Sequence, residues 1–378
     1  MLNDSQKEAV LCCVCKTLCD HKPSVELIWG PPGTGKTKTI SFLLWSILEM
    51  KQRVLACAPT NVAITELASR VVKLLRESSK EGGVLCSLGD VLIFGNKDRL
   101  KVSSELEEIY LDYRVGRLLE CFGQSGWKCH ITSLIKLLES SNSEYQSFLE
   151  SNVNTSRSDK KKGDNGVEVS SFLGFIREKF KTTALAVRGC LQTLITHIPK
   201  QFILEHNFQN IEILLNLVDS FGTLLSQDNV TSEQMEILFS CSEVFMRFPN
   251  YSMEATFLHL RSQCLSILRF LQASLDQLQL PSTPNEKSVK QFCFQRASLI
   301  LCTASSSFQL KSMKMDPVNL LIIDEAAQLK ECESIVPLQL PGLKHAILIG
   351  DERQLPAVVS SQVCSIDRLY WHSNIVCH

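Results

Sequence analysis

The stretch VELIWGPPGTGKT, residues 25–37, decides the fold. It starts as a short apolar run and continues into the pattern G-x-x-x-x-G-K-S/T, which joins a strand to a helix around a bound phosphate group. Glycines let the backbone N–H groups surround the phosphates, and the start of the following helix adds the positive end of its dipole. The stretch therefore predicts a strand, a phosphate-binding loop and a helix, in that order.

The loop supplies most of the expected nucleotide contacts. Lys36 is placed to bring a positive charge to the β- and γ-phosphates, and Thr37 to offer its hydroxyl to Mg²⁺. We therefore expect ATP with Mg²⁺ as the bound nucleotide. The other expected contacts are the loop residues Gly30, Pro31, Pro32, Gly33, Thr34, Gly35 and Lys38.

A second pattern, LLIIDEAAQ at 320–328, places two carboxylates after an apolar run. Ligands bind at the carboxyl ends of strands in open α/β sheets. We expect Asp324 to hold Mg²⁺ through water, and Glu325 to polarise the attacking water as a general base. The alternative is that one of these side chains only caps a following helix.

A third pattern, LIGDERQLP at 348–356, again ends an apolar run in a polar turn. Gln354 in this turn is placed to sense the γ-phosphate, which makes it the fourth catalytic candidate beside Lys36, Asp324 and Glu325. Taken alone, the pattern is also typical of an ordinary strand followed by a turn.

Short apolar runs and helical stretches alternate near both ends of the chain, which predicts a doubly wound parallel α/β sheet. Residues 1–95 and 291–361 contain this alternation, and residues 96–290 form a mainly helical insertion between them. The strands are predicted at Val25–Trp29, Val54–Ala58, Val91–Phe94, Leu299–Cys302, Leu320–Ile323 and Ala346–Ile349.

Amphipathic stretches at 201–225, 233–248 and 253–278 predict the long helices of the insertion. Residues 151–166 include SRSDKKKGDNG, which predicts a disordered, solvated loop, with phosphate contact by its lysines as the alternative. The segment PSTPNE at 281–286 is predicted to be the linker that ends the insertion.

Composition excludes several classes of protein. The 378 residues are 44% hydrophobic and 21% charged, as in globular proteins, and the net charge of −1 neither supports nor excludes a nucleic-acid partner. No signal peptide opens the chain, and no apolar run is long enough to cross a membrane. The 16 cysteines are therefore expected to be reduced in an intracellular protein. A metal site at Cys12, Cys13 and Cys15 is disfavoured, because no second matching pair lies nearby.

The three patterns, in this order and with the wording DEAAQ and GDERQLP, resemble the superfamily-1 helicases. The resemblance is to the branch that contains senataxin and the nonsense-mediated-decay helicase, and particularly to plant senataxin-like proteins. It implies a RecA-like P-loop domain. The stretch LNDSQ at 2–6 resembles the Q motif of this family, which implies that Gln6 reads the adenine edge. Asn3 and Gln6 also fit a helix capping box, which is the alternative role.

Two further stretches, APTNVA at 58–63 and CTAS at 302–305, resemble the family's nucleic-acid-contacting motifs, and FGNKDR at 94–99 resembles the start of its inserted subdomain. The resemblance implies Pro59, Thr60, Asn61, Thr303 and Ser305 as contacts to phosphate or sugar, with ordinary turn chemistry as the alternative. Such contacts read no base sequence. The implied partner is single-stranded RNA or DNA, with RNA and the nucleus favoured and the cytoplasm as the other compartment.

A complete motor of this family has a second RecA-like domain, whose arginines reach the γ-phosphate. The sequence leaves no room for that domain, and residues 362–378 diverge from the family pattern. We therefore expect nucleotide binding with weak turnover and little unwinding, unless a second chain completes the motor. A non-enzymatic, nucleotide-dependent RNA- or protein-binding module is the alternative. An AAA+ ATPase or a nucleotide kinase is disfavoured by the stretches LNDSQ and GDERQLP.

Overall fold

The computed structural model describes residues 2–19, 21–80, 87–158, 171–240, 253–281, 283–351 and 353. Its sheet has six strands, and it confirms the predicted α/β class and each predicted strand to within about a residue at either end. The strands are β1 (Ser24–Trp29), β2 (Val54–Ala58), β3 (Val91–Ile93), β4 (Leu299–Thr303), β5 (Leu320–Ile323) and β6 (His345–Gly350). Residues 354–378, including Gln354, lie outside the described residues.

The strands are in the order β1-β6-β5-β2-β4-β3, and every neighbouring pair is parallel. Strand β6 therefore separates β1, which precedes the phosphate loop, from β5, which precedes Asp324. Because all strands run the same way, the loops that follow them meet at one edge of the sheet. This edge brings the three sequence patterns together.

Helices occupy most of the rest of the described chain. The helices before residue 123 and after residue 285 are α1 (Asp4–Thr17), α2 (Lys36–Glu49), α3 (Asn61–Lys80), α4 (Lys97–Leu100), α5 (Leu111–Phe122), α11 (Glu286–Arg296) and α12 (Glu331–Leu338). Those between them are α6 (Trp127–Ser158), α7 (Phe172–His197), α8 (Glu205–Leu225), α9 (Ser232–Ser240) and α10 (Met253–Asp276). None of the described helices combines the length and apolar character that a membrane span needs.

The core of the sheet unit lies between one face of the sheet and helices α1, α2 and α3. Alternate strand residues such as Val54, Ala56 and Ile322 point to this face, and Leu44 and Leu67 reach them from α2 and α3. Burial of one such side chain contributes about 1.5–3 kcal/mol. This packing fixes α2 and α3 side by side, with their first turns at the edge where the strands end.

Contacts within the chain divide it into two compact units. One contains the sheet and comprises residues 1–119, 195–202 and 281–378, and the other comprises residues 120–194 and 203–280. The described residues of the second unit are helical apart from their connections. Helix α6 continues to Ser158, so the prediction of a loop from residue 151 is wrong for residues 151–158, while residues 159–166 lie outside the described part.

A buried arginine braces the approach to β3 in the sheet unit. The guanidinium of Arg114 on α5 donates to backbone oxygens of Leu88 (2.8 Å), Gly89 (3.0 Å), Val91 (2.7 Å) and Glu108 (3.2 Å). Beside it lies His197, which is 5% exposed, and its Nδ1 has no hydrogen-bond partner among the described residues. Burial, with the nearby charge of Arg114, lowers the pKa of His197 to about 3. His197 is therefore neutral in the folded protein.

Candidate active site

The phosphate loop has the backbone that its sequence predicts. Gly33 and Gly35 have φ values of +79° and +80°, which residues with a Cβ atom rarely adopt. The Nζ of Lys36 donates to the carbonyl oxygen of Gly30 at 2.8 Å, and the Thr34 hydroxyl donates to the carbonyl oxygen of Pro31 at 2.7 Å. The lysine ammonium is thus folded over the loop, at the start of α2.

A cavity of about 340 Å³ opens at this loop. Its lining includes six of the predicted nucleotide contacts and the predicted general base. The lining residues are Pro32, Gly33, Gly35, Lys36, Thr37, Lys38, Arg70 and Glu325. Arg70, on α3, was not among the residues singled out from the sequence. A larger groove of about 780 Å³ lies between α7 and α8 in the second unit and borders no predicted site residue.

Asp324 is held rigidly at the end of β5. It is 2% exposed, its backbone N–H donates to the carbonyl oxygen of Cys57 at 2.9 Å, and its Oδ1 accepts from the N–H of Glu325 at 2.9 Å. Burial, followed by the neighbouring charge of Glu325, raises the pKa of Asp324 to about 7, and Lys36 opposes this shift. A carboxylate so short of positive charge is suited to a divalent cation. With the hydroxyl of Thr37 it offers the oxygen donors that Mg²⁺ prefers.

Glu325 has an unusual backbone for a residue with a side chain. Its φ and ψ are 50° and 42°, in the left-handed region, which costs roughly 1 kcal/mol or more. Its Oε2 accepts from Nε2 of Gln328 at 3.1 Å, and its side chain makes no capping hydrogen bond to the short 3₁₀ turn that follows. The capping alternative therefore does not describe Glu325, which borders the cavity instead.

Gln6 takes the capping role predicted for it and also contacts the phosphate loop. It completes the capping box of α1: its N–H donates to Oδ1 of Asn3 at 2.8 Å, and its Oε1 accepts from the N–H of Asn3 at 3.0 Å. Its Nε2 donates to the carbonyl oxygen of Thr34 at 2.8 Å, so the amide lies against the phosphate loop. The cap orients the glutamine toward the nucleotide side, and the adenine contact stays a prediction.

The turn after β6 is described only in part. Asp351 is 2% exposed and its Oδ1 accepts from the N–H of Arg353 at 3.0 Å. The guanidinium of Arg353 lies 5.9 Å from the ring centre of Trp29. The next residue, Gln354, lies outside the described residues, so its role as γ-phosphate sensor stays a prediction.

The predicted nucleic-acid contacts lie at the ends of two neighbouring strands. Ala58 of β2 is in register with Thr303 of β4, and the N–H of Ala304 donates to the carbonyl oxygen of Ala58 at 2.9 Å. The expected contacts are Pro59, Thr60 and Asn61 after β2, Thr303 at the last position of β4, and Ser305 two residues later. The structure thus brings the two stretches together at the sheet edge that also contains the phosphate loop.

Turn chemistry accounts for part of this region. The hydroxyl of Thr60 accepts from the N–H of Ala63 at 3.2 Å. Thr303 is 7% exposed, and its hydroxyl bonds those of Ser306 at 2.8 Å and Ser305 at 3.4 Å. Ser305 is exposed. Contact of these residues with nucleic acid stays a prediction, and the side chain of Ser305 is more accessible than that of Thr303.

Comparison with known proteins gives a consistent set of relatives. A family profile described as an AAA domain matches residues 1–362. Human probable helicase senataxin is 32% identical over 138 residues, which cover 31% of this chain and 5% of that protein. Fission yeast helicase sen1 is 24% identical over 384 aligned residues, which cover 96% of this chain and 17% of that protein. The Arabidopsis thaliana regulator of nonsense transcripts 1 homolog is 37% identical over 122 residues, which cover 31% of this chain and 8% of that protein. The chain thus spans less than a fifth of the length of these relatives.

Proposed function

Because the chain belongs to the AAA-domain family, in the superfamily-1 helicase branch of senataxin and the nonsense-mediated-decay helicases, we propose that it is a nucleic-acid-dependent ATPase module. The observation that supports this most directly is the cavity shared by Lys36, Thr37 and Glu325, with Asp324 buried beside it. A phosphate cradle, a place for a cation and a base in one cavity are the requirements of phosphoryl transfer to water.

Each of these residues has a distinct task in the proposed reaction. The backbone N–H groups of the loop surround the phosphates, and the Lys36 ammonium exchanges the carbonyl oxygen of Gly30 for phosphate oxygens. Thr37, and Asp324 through water, would hold Mg²⁺, which would neutralise charge on the phosphates when bound. Glu325, positioned by Gln328, accepts the proton of the attacking water. Gln6 and Gln354 read the adenine and the γ-phosphate.

We propose single-stranded nucleic acid as the partner, bound along the loops that follow β2 and β4. Backbone contacts from Pro59, Thr60, Asn61, Thr303 and Ser305 suit a protein that moves along a strand without reading its sequence. RNA is favoured over DNA because one relative is named as a regulator of nonsense transcripts, and the nucleus over the cytoplasm stays a prediction from the family resemblance.

The test is nucleotide binding and ATP turnover by the purified chain, with and without single-stranded RNA. Lys36→Ala is expected to weaken Mg·ATP binding by at least about tenfold, because charge-assisted hydrogen bonds to phosphate are lost. Glu325→Gln is expected to keep binding but abolish RNA-stimulated turnover. Lys73→Ala, an exposed lysine on α3, is the matched control.

Two results would decide against this function. If well-folded protein binds no Mg·ATP, or binds it equally well after Lys36→Ala, the nucleotide site is wrong. If binding is intact but turnover is near zero with and without RNA and unchanged by Glu325→Gln, the chain is instead a nucleotide-dependent binding module.

A further inference from the structure

Among the described residues that line the phosphate cavity, Arg70 is the one cation outside the phosphate loop and the first turn of α2. It reaches the cavity from α3, whereas the other two cations, Lys36 and Lys38, lie in the first turn of α2. Helices α2 and α3 pack together on the same face of the sheet. Since side chains on a helix point back toward its N-terminus, a long side chain at this position reaches the edge where the strands end.

On this geometry, and resting on the ATP site proposed above, we propose that Arg70 is a ligand of the terminal phosphate of bound ATP, supplied from within the same domain. Guanidinium groups suit this task because their planar fork donates two parallel hydrogen bonds to phosphate oxygens.

The present partner of Arg70 is easily exchanged. Its Nη2 donates to Oε1 of Glu66, one turn earlier on α3, at 2.9 Å. The Arg70 side chain is 46% exposed and that of Glu66 54% exposed, and ion pairs of this kind add little stability. A phosphate group in the cavity therefore competes with Glu66 at little cost. In the absence of nucleotide, Glu66 keeps the guanidinium near the cavity.

The lining of the cavity indicates which phosphate Arg70 meets. The loop and the first turn of α2 surround the phosphate nearest the helix N-terminus. Glu325, the proposed base, belongs beyond the γ-phosphate, where the attacking water lies, and it borders the same cavity as Arg70. Arg70 therefore distinguishes ATP from ADP.

The experiment measures equilibrium binding of a non-hydrolysable ATP analogue and of ADP, each with Mg²⁺, to the full chain. Arg70→Ala is expected to weaken binding of the ATP analogue about tenfold or more, while changing ADP binding by less than about twofold. Arg70→Lys, which keeps the charge without the fork, is expected to fall between wild type and Arg70→Ala. Lys73→Ala is the matched control, because it removes another ion pair with a glutamate four residues away on the same helix.

Glu66→Gln gives an independent readout. This change frees Arg70 and removes a negative charge, so it is expected to tighten binding of the ATP analogue. The double variant Glu66→Gln with Arg70→Ala is expected to lose most of that gain in affinity. Alanine is the best helix former, so loss of helix is not expected, and circular dichroism checks it.

The outcomes separate this inference from the proposed function. Equal weakening of both nucleotides by Arg70→Ala, or no change in either, overturns the role of Arg70 while the ATP site stands. Tightening by Glu66→Gln that persists in full after Arg70→Ala also overturns it. Failure of the wild-type chain to bind either nucleotide overturns both the inference and the proposed function.

Discussion

Replacing His197 by glutamine should flatten the response of stability to acid. His197 is 5% exposed, and its pKa is lowered from 6.5 to about 3 by burial first and then by the charge of Arg114. Between these two values the unfolded chain binds a proton that the folded chain excludes. The free energy of unfolding therefore falls as the pH falls through this window, and the full stabilisation is present only above about pH 6.5.

The size of the effect follows from the same two values. From about pH 7.5 to about pH 5, protonation of this one imidazole in the unfolded chain costs about 2 kcal/mol of stability. The loss approaches about 5 kcal/mol near pH 3, where the folded form also becomes protonated. Glutamine does not titrate, and its amide can still donate to the backbone of Glu108, which is hydrogen-bonded to His197.

The measurement is urea unfolding followed by tryptophan fluorescence at several pH values for the wild type, His197→Gln and His206→Gln. His206 is exposed and serves as the control for the loss of one imidazole. Other titrating groups cancel in the difference between variants. If the wild type and His197→Gln lose stability in parallel between about pH 7.5 and about pH 5, the assignment of a buried neutral imidazole is wrong.

Three further perturbations test other parts of the molecule. Gly89→Ala is expected to cost about 1–3 kcal/mol in urea unfolding, because the added Cβ would lie 2.5 Å from the backbone carbon of Ile198. Gly116→Ala, on α5 with nothing within 4 Å, is expected to gain up to about 1 kcal/mol, and equal effects of the two would contradict this comparison. Gln6→Ala should reduce the preference for ATP over GTP by roughly fivefold in a competition assay, since about one hydrogen bond to the base is lost, and an unchanged ratio would exclude the adenine contact. Ser305→Ala is expected to weaken binding of single-stranded RNAs of unrelated sequence to the same extent, and a sequence-dependent loss of affinity would argue against a backbone contact.

The parts of the fold that follow local rules were predictable from the sequence. Runs such as Leu320–Ile323 are short and apolar, include β-branched residues and end in polar turns, which predicts strands. The structure confirms these strands almost residue by residue. The phosphate loop is equally local, because its glycines and its lysine are fixed by their spacing along the chain. The capping box of Asn3 and Gln6 was also predictable from the sequence, and the structure confirms it.

The remainder depends on packing that no local pattern reports. Arg70 looks like any polar residue of an amphipathic helix, and only the packing of α3 beside α2 places it at the cavity. The burial of Arg114 and His197 depends on backbone carbonyls distant in sequence from α5. The polar stretch from residue 151 predicted a loop, yet α6 continues to Ser158.

Helix α3 begins at Asn61, next to the strand end where RNA is proposed to bind, and presents Arg70 to the phosphates nine residues later. A regular helix moves as a stiff rod, so a tilt imposed at its first turn displaces the guanidinium as well. Thermodynamic reciprocity then gives a quantitative rule. Any factor by which bound RNA increases the affinity for ATP must equal the factor by which bound ATP increases the affinity for RNA. One rod shared by two ligands would make energy transduction a property of a single domain, before any domain closure takes place.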